Sequence, residues 1–346
     1  MTRRAACSPS LSDEERLIQD TARRFARDRL LPGLRAHERA RGVPRELVGE
    51  FAALGLTAGE DLGAFARVLV LEELAAVDAG AALALDAGGL AQPLLDAAGL
   101  GAARGRGVVI EDVEGHFRAR DGRLAGEHPW VPADEIAAAV VLHPERALIV
   151  REGWRLTPIA ACGLEAAGAS RLVLDDAPIA ATLEDPRALG RARAGIRTAV
   201  GALLVGAARG THEYAMRYAT ERTAFGRPIA HHQALAFLIA DLATAVDVAR
   251  LAVWRAAAAL DRGESAEWEG ANALAEAAEQ ALFVGPSAVQ ILGGHGFMKD
   301  HPVEKWMRDI RTLAQMAGGR DEAELAAAAL VTERELGFAG RGDRCP

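Results

Sequence analysis

Cysteine is scarce in this chain of 346 residues: Cys7, Cys162 and Cys345 are far apart and in no metal-ligand spacing. Three scattered thiols exclude a disulfide framework and fit a reducing compartment, so a cytoplasmic protein is expected. Aromatic residues make up only 5% of the chain. Basic residues number 40 against 48 acidic ones, a formal charge of −8. That balance argues against nucleic acid, whose phosphates need a basic face. No run of about 18 apolar residues is free of charge, so no membrane span is expected. The opening "MTRRAAC" holds a twin arginine. No apolar stretch follows it, so no export signal is expected. The nine histidines form no H-E-x-x-H or similar set. No metal is expected.

What is abundant favours helix: half the chain is hydrophobic, dominated by alanine and leucine, with arginine and glutamate beside them. In "SDEERLIQDTARRFARDRLLPGL", Ser12 and Glu15 have the spacing of a capping box, and Pro32 is expected to stop the helix. "PRELVGEFAALGL" reads as a second helix ending at Gly55, and two more are expected before residue 104. Short apolar runs then follow at Val108–Ile110, Ala138–Leu142, Ala147–Val150 and Arg171–Leu174, punctuated by glycine, proline and aspartate. They read as a small β domain. From about 188 the pattern turns helical again, with long alanine-rich segments whose short connections suit an antiparallel bundle. The expected division is 1–104 helical, 105–183 β, and 184–346 helical bundle.

Two stretches point to chemistry. In "ERTAFGRPIAHHQALAFLIADL" a helix ends near Arg222, a turn carries Phe225 and Gly226, and a new helix starts at His232–Gln233. An arginine beside free N–H groups at a helix N-terminus suits an anion; a solvated helical hairpin is the plainer alternative. In "QILGGHGFMKDHPVEKWMRDIRT", Gly293, Gly294 and Gly296 would let backbone approach a ligand, and Gln290 offers an amide. The alternative is a glycine-rich loop between helices. Here Trp306 and Met307 read as packing, and Glu304 with Arg308 as a surface or interface i, i+4 pair.

Taken together, these stretches resemble the C-terminal domain of the acyl-CoA dehydrogenase family, flavoproteins that desaturate acyl-CoA thioesters. The pattern R-x-x-F-G with a following Q is met by Arg222, Phe225, Gly226 and Gln233. The longer pattern is met by Gln290, Gly293, Gly294, Gly296, Phe297, Pro302, Glu304, Arg308 and Asp309. "DEERLIQDTARRFARDRLLP" and "VLEELAAVDAG" are similar to the family's N-terminal helices. The resemblance implies a mostly α fold: an N-terminal helical domain, a small middle β domain and a C-terminal four-helix bundle. It implies FAD bound across a subunit interface, with Arg222 at the diphosphate in the neighbouring subunit and Phe225, His232, Gln233, Gln290, Gly293 and Gly294 around the same half. It places Arg197 and Gly318 beside the acyl-CoA. Homodimers or tetramers are implied, with electron-transfer flavoprotein as a possible acceptor.

Other positions depart from the pattern. The family's flavin-ring loop is replaced by "VVIEDVEGHFRARDG", in which Glu111 alone is available to echo it. In "GEHPWVP", His128 stands for a lysine and Pro132 for a hydroxyl residue, while Gly126, Trp130 and Val131 agree. The two positions where the family carries its proton-abstracting carboxylate are Ala317 and Ile196 here. Asp321 and Glu322 lie close in sequence; both read more simply as helix-start acids. His295 reads as a loop histidine or a cofactor contact. Three functions stay open: an enzyme whose base comes from elsewhere, with Asp321 as a weak candidate; a non-catalytic subunit that completes a paralogue's FAD site in a hetero-oligomer; and an acyl-thioester-binding scaffold without flavin.

Overall fold

Helix α1 (Asp13–Phe25) begins at the capping box legible in the sequence. Ser12 Oγ accepts from the Glu15 N–H at 3.1 Å, and the Ser12 N–H donates to Glu15 Oε2 at 2.7 Å. The structure, a computed structural model, describes residues 11–57, 62–86, 88–101, 105–112 and 115–336. Pro32 does not stop the first helical stretch. The chain runs through a π turn at Ala26–Leu30 and a 3-10 turn at Leu31–Gly33 into α2 (Leu34–Ala40). Pro32 lies in the first turn of its segment, where a missing N–H breaks nothing. The stretch ends instead at Arg41, which takes a left-handed φ of 53°. Helix α3 (Arg45–Ala52) brings Phe51 against Phe25 of α1, ring centroids 5.1 Å apart.

Helix α4 (Ala64–Leu85) is buried around most of its circumference and α5 (Gln92–Ala97) follows it. Asp78 interrupts α4 with φ −155° and ψ 105°. The β region is one seven-stranded sheet of β1 (Gly107–Glu111), β2 (Phe117–Arg120), β3 (Arg123–Val131), β4 (Ala138–Leu142), β5 (Ala147–Val150), β6 (Trp154–Pro158) and β7 (Ser170–Leu183). Its order is β1-β4-β5-β7-β3-β2, with β6 paired to β7 off that path. Strand β1 runs parallel to β4, and Glu111 pairs with Leu142 at its end. The four runs legible in the sequence are β1, β4, β5 and the start of β7. Strands β2, β3 and β6 carry too many exposed polar residues to read as strands by apolarity.

Asp185 caps α6 (Pro186–Glu221), accepting from the N–H groups of Arg187 and Ala188. A two-residue ladder, β8 (Thr223–Ala224) with β9 (Arg227–Pro228), leads into α7 (Gln233–Asp261). Helices α8 (Glu267–Leu292), α9 (Val303–Leu313) and α10 (Gly319–Leu336) complete the C-terminal part. The four long helices α6, α7, α8 and α10 form the bundle, and α4 packs along α6. That packing is close enough to need glycine. A methyl built on Gly210 would sit 2.0 Å from Ala76 O, and one on Gly206 2.3 Å from Glu72 O. Among the described residues no helix is long and apolar enough to cross a membrane.

Charged groups tie α9 to the rest. Lys305 Nζ lies 2.9 Å from Asp78 Oδ1 and 2.6 Å from Asp309 Oδ2, all three side chains buried, and Asp309 also accepts from the Leu164 N–H. Trp306 is buried as expected and donates to Val77 O at 2.7 Å. The pairing of Glu304 with Arg308 is more than a surface ion pair. Arg308 Nη2 is 2.5 Å from Glu38 Oε1 and 2.8 Å from Glu304 Oε2, and Arg35 reaches both acids at 2.7 Å. Arg308 Nη1 also bonds Cys162 O.

Candidate functional site

One end of the bundle is open and cationic. Helix α6 ends at Glu221, and Arg222 follows it with its side chain exposed and no ion pair among the described residues. Phe225 is 95% exposed in a left-handed turn, φ 53°, edge-on to His232 with centroids 6.0 Å apart. His232 precedes α7 without a side-chain cap, so the first N–H groups of α7, beginning at the exposed Gln233, are free to meet an anion. Gln290 is exposed in the last turn of α8. Beside it, methyls built on Gly293 or Gly294 would touch nothing within 4 Å, so that backbone is uncovered. Tyr218 OH to His295 Nδ1, at 2.7 Å, ties this loop to the end of α6. His295 is exposed and stacks on His301. The arrangement gathers Arg222, Phe225, His232, Gln233, Gln290, Gly293 and Gly294 at one end of the bundle. An unpaired guanidinium beside an uncapped helix N-terminus and bare glycine backbone fits a diphosphate.

The end of β3 offers less to a flavin ring. Pro132 has no N–H, and its carbonyl accepts from Arg106 Nη1 at 3.1 Å. His128 Nδ1 is engaged with Trp130 O at 2.6 Å.

A second feature lies between sheet and bundle. A cavity of about 250 Å³ is lined by Glu111 at the end of β1, His143 after β4, Arg193 and Arg197 on α6, Glu267 at the start of α8 and Glu322 on α10. Arg197 is only 7% exposed, and its Nε has no hydrogen-bond partner among the described residues. Arg193 donates to Pro144 O at 2.8 Å and to His143 O. Burial holds the Glu111 carboxyl above the usual glutamate range; Arg197 and Arg193 pull it part of the way back, and Glu322 pushes it up again. Burial also lowers the Arg193 guanidinium, against the pull of Glu111.

Ile196 is buried, 2% exposed, and Ala317 is half-buried against the core with a left-handed φ of 56°. Gly318 follows at φ 86°. A methyl on Gly318 would lie 3.5 Å from Glu111 Oε2 and 3.0 Å from Glu322 Cγ. Asp321 is exposed in the first turn of α10 and does not line this cavity, whereas its neighbour Glu322 does. Arg193 and His143 carry no motif. A partial signal existed for Arg193, which lies one helical turn before Arg197 on the same face.

The sheet flanked by two helical parts matches a known architecture. Butyryl-CoA dehydrogenase from Megasphaera elsdenii superposes with a TM-score of 0.79 over 94% of this chain and 99% of that one, at 22% identity, a likeness of fold. Sequence carries the likeness further. The model of the acyl-CoA dehydrogenase N-terminal domain matches residues 12–104, and that of the C-terminal domain matches residues 191–330. The chain belongs to the acyl-CoA dehydrogenase family. The 3-(aryl)acrylate reductase of Clostridium sporogenes is 37% identical over 132 residues, which are 38% of this chain and 35% of that protein. The chain thus spans about a third of the length of the first curated relatives it matches. Benzylmalonyl-CoA dehydrogenase of Aromatoleum aromaticum is 28% identical in an alignment 362 positions long, gaps included, that covers 90% of this chain and 96% of that protein.

Proposed function

We propose that this protein is an FAD-dependent acyl-CoA dehydrogenase-like oxidoreductase that desaturates an acyl-CoA thioester at its α–β bond. The observation that carries the reading is the open bundle end, where exposed Arg222 stands unpaired beside the uncapped start of α7 and the bare backbone of Gly293–Gly294. Those groups would hold the diphosphate of FAD, and the flavin, when bound, supplies a hydride acceptor for Cβ. Because Arg222 and Phe225 point away from their own chain's core, the reading includes an oligomer, a dimer or tetramer, in which this end meets the neighbouring subunit's cofactor. Arg197, buried and with its Nε short of a partner, would meet the carbonyl oxygen of the thioester, with Gly318 letting the substrate pass close to the backbone. Electron-transfer flavoprotein is the proposed acceptor, the cytoplasm the proposed compartment, and 1–104, 105–183 and 184–346 the proposed domains. The test is the absorbance spectrum of the purified protein. A flavin spectrum, intrinsic or gained with added FAD, that bleaches anaerobically with a saturated acyl-CoA supports the reading; a colourless protein that takes up no FAD sinks it.

A second reading rests on a specific asymmetry. The residues read for the diphosphate are all present in the sequence, whereas Pro132 removes a donor from the proposed ring half and neither Ile196 nor Ala317 can ionise. In that case the chain is a non-catalytic subunit that completes a paralogue's FAD site in a hetero-oligomer. Co-expression with a paralogue separates the two: joint purification with flavin only in the mixed assembly favours the subunit.

A further inference from the structure

We propose that Glu111 is the carboxylate that takes the α-proton of the acyl thioester, reaching from β1 the place where neither Ala317 nor Ile196 brings an acid. The proposal rests on the acyl-thioester reading above and adds the residue that would do its proton chemistry.

Geometry carries it. Glu111 is the last residue of a strand fixed by its parallel register with β4, so its backbone is held from below. Its carboxylate enters the cavity shared with Arg193 and Arg197. Oε2 stops 3.5 Å from where a methyl on Gly318 would begin, one residue beyond Ala317. The Glu111 carboxylate thus stands next to the backbone that follows Ala317, while sharing its cavity with the two arginines of α6. The buried Arg197, whose Nε has no partner among the described residues, lines the same cavity. With Arg193 it supplies the positive charge that a developing enolate needs. A base raised by burial is also better matched to an α-proton than an ordinary glutamate, since proton-transfer efficiency rises as the base's pKa approaches the working pH.

The other acids are worse placed. Glu267 packs against Gly190, about two turns of α6 away from Arg197. Asp321 is outside the cavity. Glu322 lies beside Gly318 and is half-buried; it acts here as the like charge that raises Glu111.

The step is a proton transfer. The Cα–H bond breaks, the proton moves to a Glu111 oxygen, and the electron pair delocalises onto the thioester oxygen as an enolate. Reprotonation at Cα reverses it, so no oxidant is needed to observe it.

The experiment is α-proton exchange in D2O, using the purified full chain with butyryl-CoA, with deuterium at Cα read by mass spectrometry and butyryl-CoA binding read by calorimetry. Wild type is expected to exchange, and Glu111→Gln to bind butyryl-CoA but exchange about 100-fold or more slowly. Glu111→Asp should keep an intermediate rate, which preserves the test should the amide variant misfold. The groups facing Glu111 are Arg193 and Arg197 from α6, Glu322 from α10, Glu267 from α8 and His143 after β4. Exchange should rise with pH through a midpoint above the usual glutamate range, and Glu322→Gln should move that midpoint down without abolishing exchange. Glu111→Gln exchanging at the wild-type rate, wild type binding butyryl-CoA without exchanging it, or Glu322→Gln abolishing exchange would each overturn the assignment and leave the flavoprotein reading standing. A protein that binds neither FAD nor butyryl-CoA would overturn both.

Discussion

Lys305 Nζ and Asp78 Oδ1 meet at 2.9 Å, across 227 positions of sequence and with neither side chain reached by solvent. The contact fixes α9 against the break in α4. Burial opposes the Lys305 charge, and Asp309 and Asp78 more than restore it, so its pKa stands above the usual lysine value. Removing the cation leaves two buried carboxylates facing each other. Lys305→Met is expected to destabilise the fold by about 3–5 kcal/mol, checked by denaturant unfolding at neutral pH.

Gly210 gives a backbone test of the α4–α6 contact. Alanine is the better helix former, yet its methyl would meet Ala76 O at 2.0 Å. A carbonyl in a buried helix cannot swing aside. Gly210→Ala should therefore cost about 1–3 kcal/mol, seen as a lowered Tm, where propensity alone predicts a gain.

Arg222 can be tested for the cofactor without reference to turnover. Its side chain makes no ion pair among the described residues, so Arg222→Ala should leave the Tm of flavin-free protein unchanged. Loss of one charge-assisted contact, about 1.5–3 kcal/mol, should weaken FAD binding about 10- to 100-fold, measured by fluorescence titration. An unchanged FAD affinity would overturn the assignment of Arg222 to the diphosphate, and no FAD binding by wild type would favour the scaffold without flavin.

Glu111 has a signature in stability as well. Its folded pKa is raised, so the folded state binds that proton more tightly than the unfolded chain does. The contribution is present below the unfolded value and is lost as pH rises through the folded one. Between pH of about 4 and the higher folded midpoint, wild type should lose stability relative to Glu111→Gln, and above it the variant should be the more stable. Paired thermal melts across that range check the sign.

Much of this fold was legible because its signals are local. The Ser12–Glu15 box, the apolar runs of β1, β4 and β5, and the long alanine faces are each contained in a few turns of chain. The β2–β3 hairpin is equally local, but its signal lies in the turn and not in apolar strands. Its turn is Asp121–Gly122, both left-handed at φ 50° and 75°, a pair that marks a tight hairpin. The strands beside it, FRAR and RLAGEHPWV, expose alternate polar residues, so apolarity was the wrong test for an antiparallel edge. Pro32 misleads because a proline in the first turn of a helical segment does not stop it.

The two halves of the candidate site differ in the same way. The bundle end is written in two continuous motifs, each one helix end and its loop. The cavity draws Glu111 from a strand, Arg197 from α6 and Glu322 from α10, and no spacing along the chain connects them. Glu111 could be seen only as a remnant of a lost loop until folding set it beside Gly318.

Arg308 is where the three parts of the molecule meet in one side chain. It holds Glu38 on α2, Glu304 on its own helix, and Cys162 O and Glu165 in the connection before β7. Each anchor belongs to a different stretch of the chain, so a rotation of the sheet against either helical part must first strip a guanidinium of several partners at once. The walls bearing Glu111 and Arg197 are thereby kept from breathing apart. For the same reason melting is expected to be cooperative across the junction, and hinge motion to be resisted where a three-part chain would otherwise bend.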